Sequence, residues 1–466
     1  MNNTESLTEH VVRFALDTRF EGIPDEVMRL GKKAILDGLA CAVAGAKAEP
    51  SAVLREYLAS LQCGAGQATV IGTALRMPAR FAALANGTAM HADDYDDTLQ
   101  AETGRFMGVH PTGPVLSALF AVAQSEGHSG RDLLTAYQAG VEVTCRLFDA
   151  TNVNHSLLGF HSTGTCAMVG AAAGVARLRQ ASVTQARHTL GIAASQSGGF
   201  TQNFGTSTKP YQAGRAAEGA VVADDLARQG FTASPIILEG PRGFFMAQGG
   251  GWEDARIRGK LGNPWSFVDR GIWLKAYPTG SLSHPGMTRM LELVRTHDLR
   301  PEDVVKIRLR TSENIHQTLM HHRPKTELEA KFSLEFCVAA LLVSRTCGLS
   351  QFNDEYVNRP DVQEAIAKVQ YTGFSESEAR TEGYTIVTTF VQLDLKDGRT
   401  VGGRVDHGKG NIADPMSDAD VADKFRQCAD YAGLPTHKAE RAIELTMRLE
   451  ELPDLAELAE SVVIIE

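Results

Sequence analysis

Val304-Val305-Lys306-Ile307-Arg308-Leu309-Arg310 is the first stretch of this chain that reads clearly as a strand. From Val305 onward apolar and basic residues alternate, which suits a strand with one face buried and one in water. Few such signals occur before residue 265. Beyond it they recur. Tyr384 to Leu395 is rich in Thr, Val and Ile, Lys396-Asp397-Gly398-Arg399 reads as a turn, and Thr400 to Val405 reads as the returning strand.

On the N-terminal side of this region the sequence is helix after helix. Ser6 and Glu9 make a capping-box pattern, and Pro24 suits a first turn. Val27, Leu30, Ala34, Ile35 and Ala42 share one face at helical spacing. Segments 77–91, 112–126, 130–149, 161–179 and 182–199 look alike and are separated by Gly, Pro, Asn or Ser. Helical periodicity returns at Asp418 to Tyr431 and at His437 to Leu449. The pattern predicts a mainly α protein. Both chain ends, residues 1–270 and 406–466, would build one large all-helical domain, with a smaller α+β lid domain, residues 271–405, inserted between them.

Composition narrows the function. The chain has 466 residues, 43% of them hydrophobic, enough to bury a large core. Its 44 glycines and low aromatic content (7%) favour helices that approach closely. The net charge is -10 with Lys and Arg scattered, which argues against a nucleic-acid partner but not against an anionic substrate. The most apolar stretch, Ala167 to Ala176, is too short to span a bilayer. Met1-Asn2-Asn3-Thr4-Glu5 lacks a basic region followed by an apolar one, so no signal peptide is expected. Seven widely spaced cysteines without a Cys-x-x-Cys read as reduced thiols. A cytoplasmic protein with no membrane partner is the expectation.

Several segments carry chemistry. His91-Ala92-Asp93-Asp94-Tyr95-Asp96-Asp97-Thr98 packs four carboxylates into five residues, close enough to raise one another's pKa unless cations offset them. It reads either as a solvated helix end or as a site. Asp93 to Asp97 also fits the Asp-Asp-x-x-Asp pattern that holds magnesium diphosphate, but no second motif of that kind follows, and no metal is expected. His110 precedes Pro111 just ahead of a helix, where free amides could meet a carboxylate. His161 also stands at a helix start, where the dipole lowers an imidazole's pKa and suits it to act as a base. Asn203 to Arg215 offers Thr208, Lys209 and Gln212 in an irregular polar run. Lys275-Ala276-Tyr277-Pro278-Thr279-Gly280-Ser281-Leu282-Ser283-His284 falls at the expected domain junction, where clefts form. His316, His321 and His322 lack a metal-ligand rhythm and read as surface residues.

Taken in order, these segments resemble the MmgE/PrpD family. The matching stretches include His91 to Thr98, His110-Pro111-Thr112-Gly113, Gly159-Phe160-His161, Gly205 to Pro210, Lys275-Ala276-Tyr277-Pro278 with His284, Glu329 to Ser333, and Asp414-Pro415-Met416. The resemblance implies a homodimer with no metal or organic cofactor, acting on a small-molecule carboxylic acid. It implies Asp94, Thr98, His110, His161, Lys209, Lys275 and His284 as pocket residues. The expected roles are catalytic for His110, His161, Asp94, Lys209 and Lys275, and substrate-binding for Thr98, Gln212, His284 and Thr208. Gln212 stands where many members carry His. Gly280 stands where the decarboxylases of the family have His, and Phe336 where they have Tyr. The expected reaction is therefore removal of a proton α to a carboxylate of a small di- or tricarboxylic acid, in the manner of a 2-methylcitrate dehydratase. Epimerisation of an amino- or imino-dicarboxylate, cis-aconitate-type decarboxylation and a non-catalytic paralogue are the alternatives, in that order.

Overall fold

A computed structural model describes residues 5–64, 66–100 and 108–465. Met1 to Thr4, part of the signal-peptide reading, lie outside the described residues. The main helices are α1 (Leu7–Asp17), α2 (Asp25–Gly45), α3 (Glu49–Ser60), α4 (Ala79–Ala92), α5 (Thr112–Glu126), α6 (Gly130–Ala150), α7 (Ser162–Leu178), α8 (Val183–Gln196), α9 (Thr208–Arg228), α10 (His284–Thr296), α11 (Leu334–Ser344), α12 (Asp418–Ala432) and α13 (Thr436–Met447). The strands of the larger sheet are β1 (Val304–Ser312), β2 (Val369–Phe374), β3 (Thr389–Leu395) and β4 (Thr400–Val405). The mainly α architecture with one small α+β region is as the sequence predicts.

Local chemistry starts many of these helices. The Ser6 hydroxyl accepts the Glu9 N–H at 3.1 Å, so half of the anticipated capping box forms at α1. Complete boxes open α6 (Ser129 with Asp132), α8 (Ser182 with Gln185) and α12 (Ser417 with Asp420). The glycines do what composition suggested. A Cβ on Gly87 of α4 would lie 2.9 Å from the Gly214 Cα of α9, so these helices cross at a distance that only bare backbone allows.

Two apolar cores result. One runs from Leu7 through α2, α5, α6 and α7 and takes in Val421, Phe425 and Cys428 of α12, so the chain's two ends share it. Lys33 of α2 adds a polar tie, donating to the Met416 carbonyl at 2.5 Å. The other core spans Leu282 to Leu395 and lies under the sheet, whose order is β2-β1-β3-β4.

Strand β1 runs parallel to β2 and antiparallel to β3. Ile307 and Leu309 point inward as the alternation requires, but Val305 is exposed and Val304 is buried. The register shifts between Val304 and Lys306, and this bulge reverses the inward set at the strand's start. His316, His321 and His322 are half-buried rather than on the surface: the His316 ring stacks on His322 at 4.1 Å and on Tyr371 at 4.2 Å. All seven cysteines are free, and six of them are buried. Among the described residues no helix is long and apolar enough to cross a membrane.

Candidate active site

His91 stands in the last turn of α4, and the four aspartates beyond it are all buried, which overturns the solvated-helix-end reading. Asp94 adopts a left-handed backbone conformation (φ 51°), turning the chain back on itself. The carboxylates then separate by partner. Asp93 takes Lys331 at 2.8 Å, Asp96 takes the His91 Nδ1 at 2.9 Å, and Asp97 takes the Thr112 hydroxyl at 2.5 Å. They do not converge on one point, so the Asp-Asp-x-x-Asp pattern is not a diphosphate-metal site here. Among the described residues, His91, Asp96 and His110 bring three atoms of metal-ligand type within 4.8 Å of one another. His91 Nδ1 bonds to Asp96, and His110 Nδ1 bonds to the Asp97 carbonyl.

Asp94 binds two ammonium groups. Lys209, in the first turn of α9, donates to its Oδ1. Lys275 arrives from the segment beyond Trp273, which pairs with Thr98 across a short antiparallel bridge. Its Nζ donates to the Asp94 carbonyl at 2.7 Å and lies 3.1 Å from Oδ1. Burial opposes the Asp94 charge, yet the two lysines outweigh it and hold the carboxyl well below its ordinary range. Burial also lowers the Lys209 pKa, with Asp94 pulling the other way. The Lys209 ammonium sits over the Phe204 and Phe332 rings, 5.4 and 5.5 Å from their centres. Burial pushes Asp96 up and Asp97 well up. Asp94 is thus held charged while Asp96 and Asp97 are driven toward neutrality.

Both histidines singled out in the sequence lie beside this ion cluster. His110 Nδ1 approaches the Asp97 carbonyl at 2.7 Å. A carbonyl can only accept, so Nδ1 carries the hydrogen and the neutral ring's Nε2 is the basic atom. His161 stands at the N-cap of α7, as expected, with its ring edge-on to Phe204 at 5.1 Å. Both are held well below the ordinary imidazole pKa, and the leading cause for each is burial. The helix start chosen from sequence is correct for His161, but desolvation dominates.

Asp94, Thr98, His110, His161, Lys209 and Lys275 line a single narrow cleft, open to solvent at its mouth. Residues from the second core, including Leu282 and Leu319, close the other side, together with Phe332. Three of the anticipated binding residues lie elsewhere. Thr208 is exposed and turned away, because the first turn of α9 directs Lys209 inward instead. His284 is buried outside the cleft lining, edge-on to Tyr277, with burial and then Lys275 pushing its pKa down to about 3. Gln212 sits behind His161 and bonds to its Nδ1 at 2.6 Å. Gly280 lines the cleft and presents no side chain there. Phe336 packs on Phe352 and Tyr356 and is not among the lining residues.

Three further groups were not assigned from sequence. His91 lies between the two cleft histidines, 4.7 Å from the His110 ring and 5.7 Å from the His161 ring. Lys331 pairs with Asp93, and Lys424 pairs with Asp37 at 2.6 Å while donating to the Tyr95 and Lys275 carbonyls. Lys424 did leave a signal: it stands with Val421, Phe425 and Cys428 on the apolar face of its helix. A cation at such a position is normally buried with a partner.

Comparison with known proteins gives a consistent picture. A family model described as the MmgE/PrpD N-terminal domain matches residues 9–255, and one described as the MmgE/PrpD C-terminal domain matches residues 277–451. The second continues past the sheet into α12 and α13. Similar curated proteins include the cis-aconitate decarboxylase of Homo sapiens, 28% identical over 97% of this chain and 94% of its own length. The cis-aconitate decarboxylase of Mus musculus is also 28% identical, over 97% and 93%. That of Aspergillus terreus is 25% identical, over 98% and 96%.

Proposed function

The chain belongs to the MmgE/PrpD family and is an enzyme of its lyase or isomerase kind, and we propose that it removes a proton α to a carboxylate of a small di- or tricarboxylic acid without a cofactor. One observation carries this reading. Two imidazoles, whose burial disfavours the charged form, and two lysine ammonium groups line the same cleft.

The chemistry follows from charge. Asp94 with Lys209 and Lys275 sums to one net positive charge in a buried place, which favours a substrate carboxylate beside the ammonium groups. As an imidazole Nε2 takes the α proton, the C–H electron pair moves toward that carboxylate and builds enediolate charge. The ammonium groups stabilise this charge most at the transition state. Expulsion of a β-hydroxyl then forms the C=C bond, and the imidazolium returns its proton to the leaving oxygen, giving an alkene and water.

Decarboxylation is the second reading. The names of the similar proteins support it, and losing CO2 also generates a carbanion that the same ammonium groups would stabilise. Gly280 weighs against it, since a family resemblance places an imidazole at that point of the cleft in decarboxylases. Incubation with citrate-like and aspartate-like acids separates the outcomes. Alkene formation without gas release supports dehydration. Release of CO2 together with the decarboxylated acid, with no water lost, would replace it with decarboxylation, and loss of optical activity alone with epimerisation.

A further inference from the structure

Gln212 was expected to touch substrate, yet its amide is spent on protein. Its Nε2 donates to the Phe200 carbonyl at 3.1 Å, which leaves Oε1 to face His161 Nδ1 at 2.6 Å. The side chain is buried, on the first turns of α9, three residues after Lys209. The Phe200 carbonyl can only accept, so it fixes which end of the amide is the donor. The amide oxygen can likewise only accept, so it fixes which imidazole nitrogen carries hydrogen.

We propose that Gln212 is a positioning residue: through its Phe200-anchored amide it holds His161 as the Nδ1–H tautomer and, being uncharged, keeps that imidazole a free base in moderately acidic solution. The inference rests on the reading of His161 as a base in the cleft. A carboxylate at this place would orient the ring equally well but would stabilise imidazolium and so raise the pH at which the base becomes available. The other titratable groups facing His161 are His91, stacked at 5.7 Å, and, around the cleft, Lys209, Asp94 and His110. Burial, then His91 and Lys209, disfavour the imidazolium, while the Gln212 hydrogen bond and Asp94 favour it. Burial sets the balance against protonation, and the uncharged amide offsets it less than a carboxylate at the same place would.

The test combines Gln212→Glu, Gln212→Met and the nitrogen spectrum of isotope-labelled histidine in the unmodified protein. Expected first is a His161 signal with Nδ1 protonated and Nε2 bare; the opposite tautomer overturns the proposal without any variant being made. Expected next is that Gln212→Glu raises the His161 titration midpoint by about one to two pH units, and the acid limb of kcat/KM with it. Gln212→Met should lower kcat at least about ten-fold with KM little changed, because the ring is no longer oriented. An unmoved His161 midpoint in a folded Gln212→Glu protein overturns the role of Gln212. A midpoint that moves while the kcat/KM limb stays in place instead removes His161 as the base, which is a failure of the proposed function.

Discussion

Lys275→Met removes one ammonium from the cleft while keeping most of the side chain's volume. The Lys275 side chain is 1% exposed, donates to the Asp94 carbonyl at 2.7 Å and lies 3.1 Å from Asp94 Oδ1. Two losses follow, and they can be measured apart. Deleting one preorganised charge that faces a developing oxyanion costs about 3–4 kcal/mol at the transition state, or about 100- to 1000-fold in kcat. Stability falls as well. The Asp94 carbonyl loses its donor in a dry place, at about 1–3 kcal/mol. Asp94 keeps Lys209, so the larger penalty of an unpaired buried carboxylate is avoided. Steady-state turnover on the preferred acid reads the first loss, and denaturant midpoints read the second. Lys424→Met is the matched comparison, because it removes an equally buried ammonium outside the cleft lining. It should cost about 3–5 kcal/mol of stability. In the fraction that stays folded its kcat should far exceed that of Lys275→Met. A folded Lys275→Met enzyme within ten-fold of the parent's kcat would refute the assignment of Lys275.

Other expectations are narrower. Asp94→Asn should leave Lys209 and Lys275 as two uncompensated cations, so inhibition by simple dicarboxylates should tighten at low salt while kcat falls. Unchanged inhibition would show that Asp94 does not set the charge of the cleft. His155 is buried with a pKa lowered to about 4, chiefly by burial, and bonds to the Gln248 carbonyl and the Thr165 hydroxyl, both at 3.0 Å. Its folded pKa is depressed, so its contribution to stability is present above the unfolded value of about 6.5 and is lost as pH falls toward about 4, some 3 kcal/mol in all. His155→Gln should flatten urea midpoints across that window, and an unaltered slope would sink this point. Thr208→Val should leave turnover within about two-fold, since the side chain is exposed; a hundred-fold loss would restore Thr208 to the site.

Much of the site was legible because its residues stand beside local punctuation. Lys209 precedes Pro210, His110 precedes Pro111 and His161 caps a helix. Each position fixes the backbone, so a side chain there can be aimed. What stayed hidden depends on pairings that cross the chain. Asp93 meets Lys331 across 238 residues, and no local pattern announces it. Gln212 was given the wrong task for a related reason. Its spacing from Lys209 shows that both begin the same helix, but only packing shows that one enters the cleft and the other stops at His161. Strand β2 escaped notice although Val369-Gln370-Tyr371-Thr372 alternates apolar and polar residues, because the alternation covers only four residues before Gly373 and its inward set is no more than half-buried there. Val305 misled because a bulge adds one residue to the count, and the sequence carries no mark of it.

The most direct measurement is hydrogen exchange in deuterated water at the carbon α to the substrate carboxylate, followed by NMR in the parent enzyme and in Lys275→Met. The account predicts that in the parent a hydrogen of that carbon is lost to solvent, seen either as deuterium in returned substrate or as its disappearance from that carbon in the alkene product, and that this loss is at least about a hundred-fold slower in the variant. Turnover that leaves every original hydrogen on that carbon would contradict it.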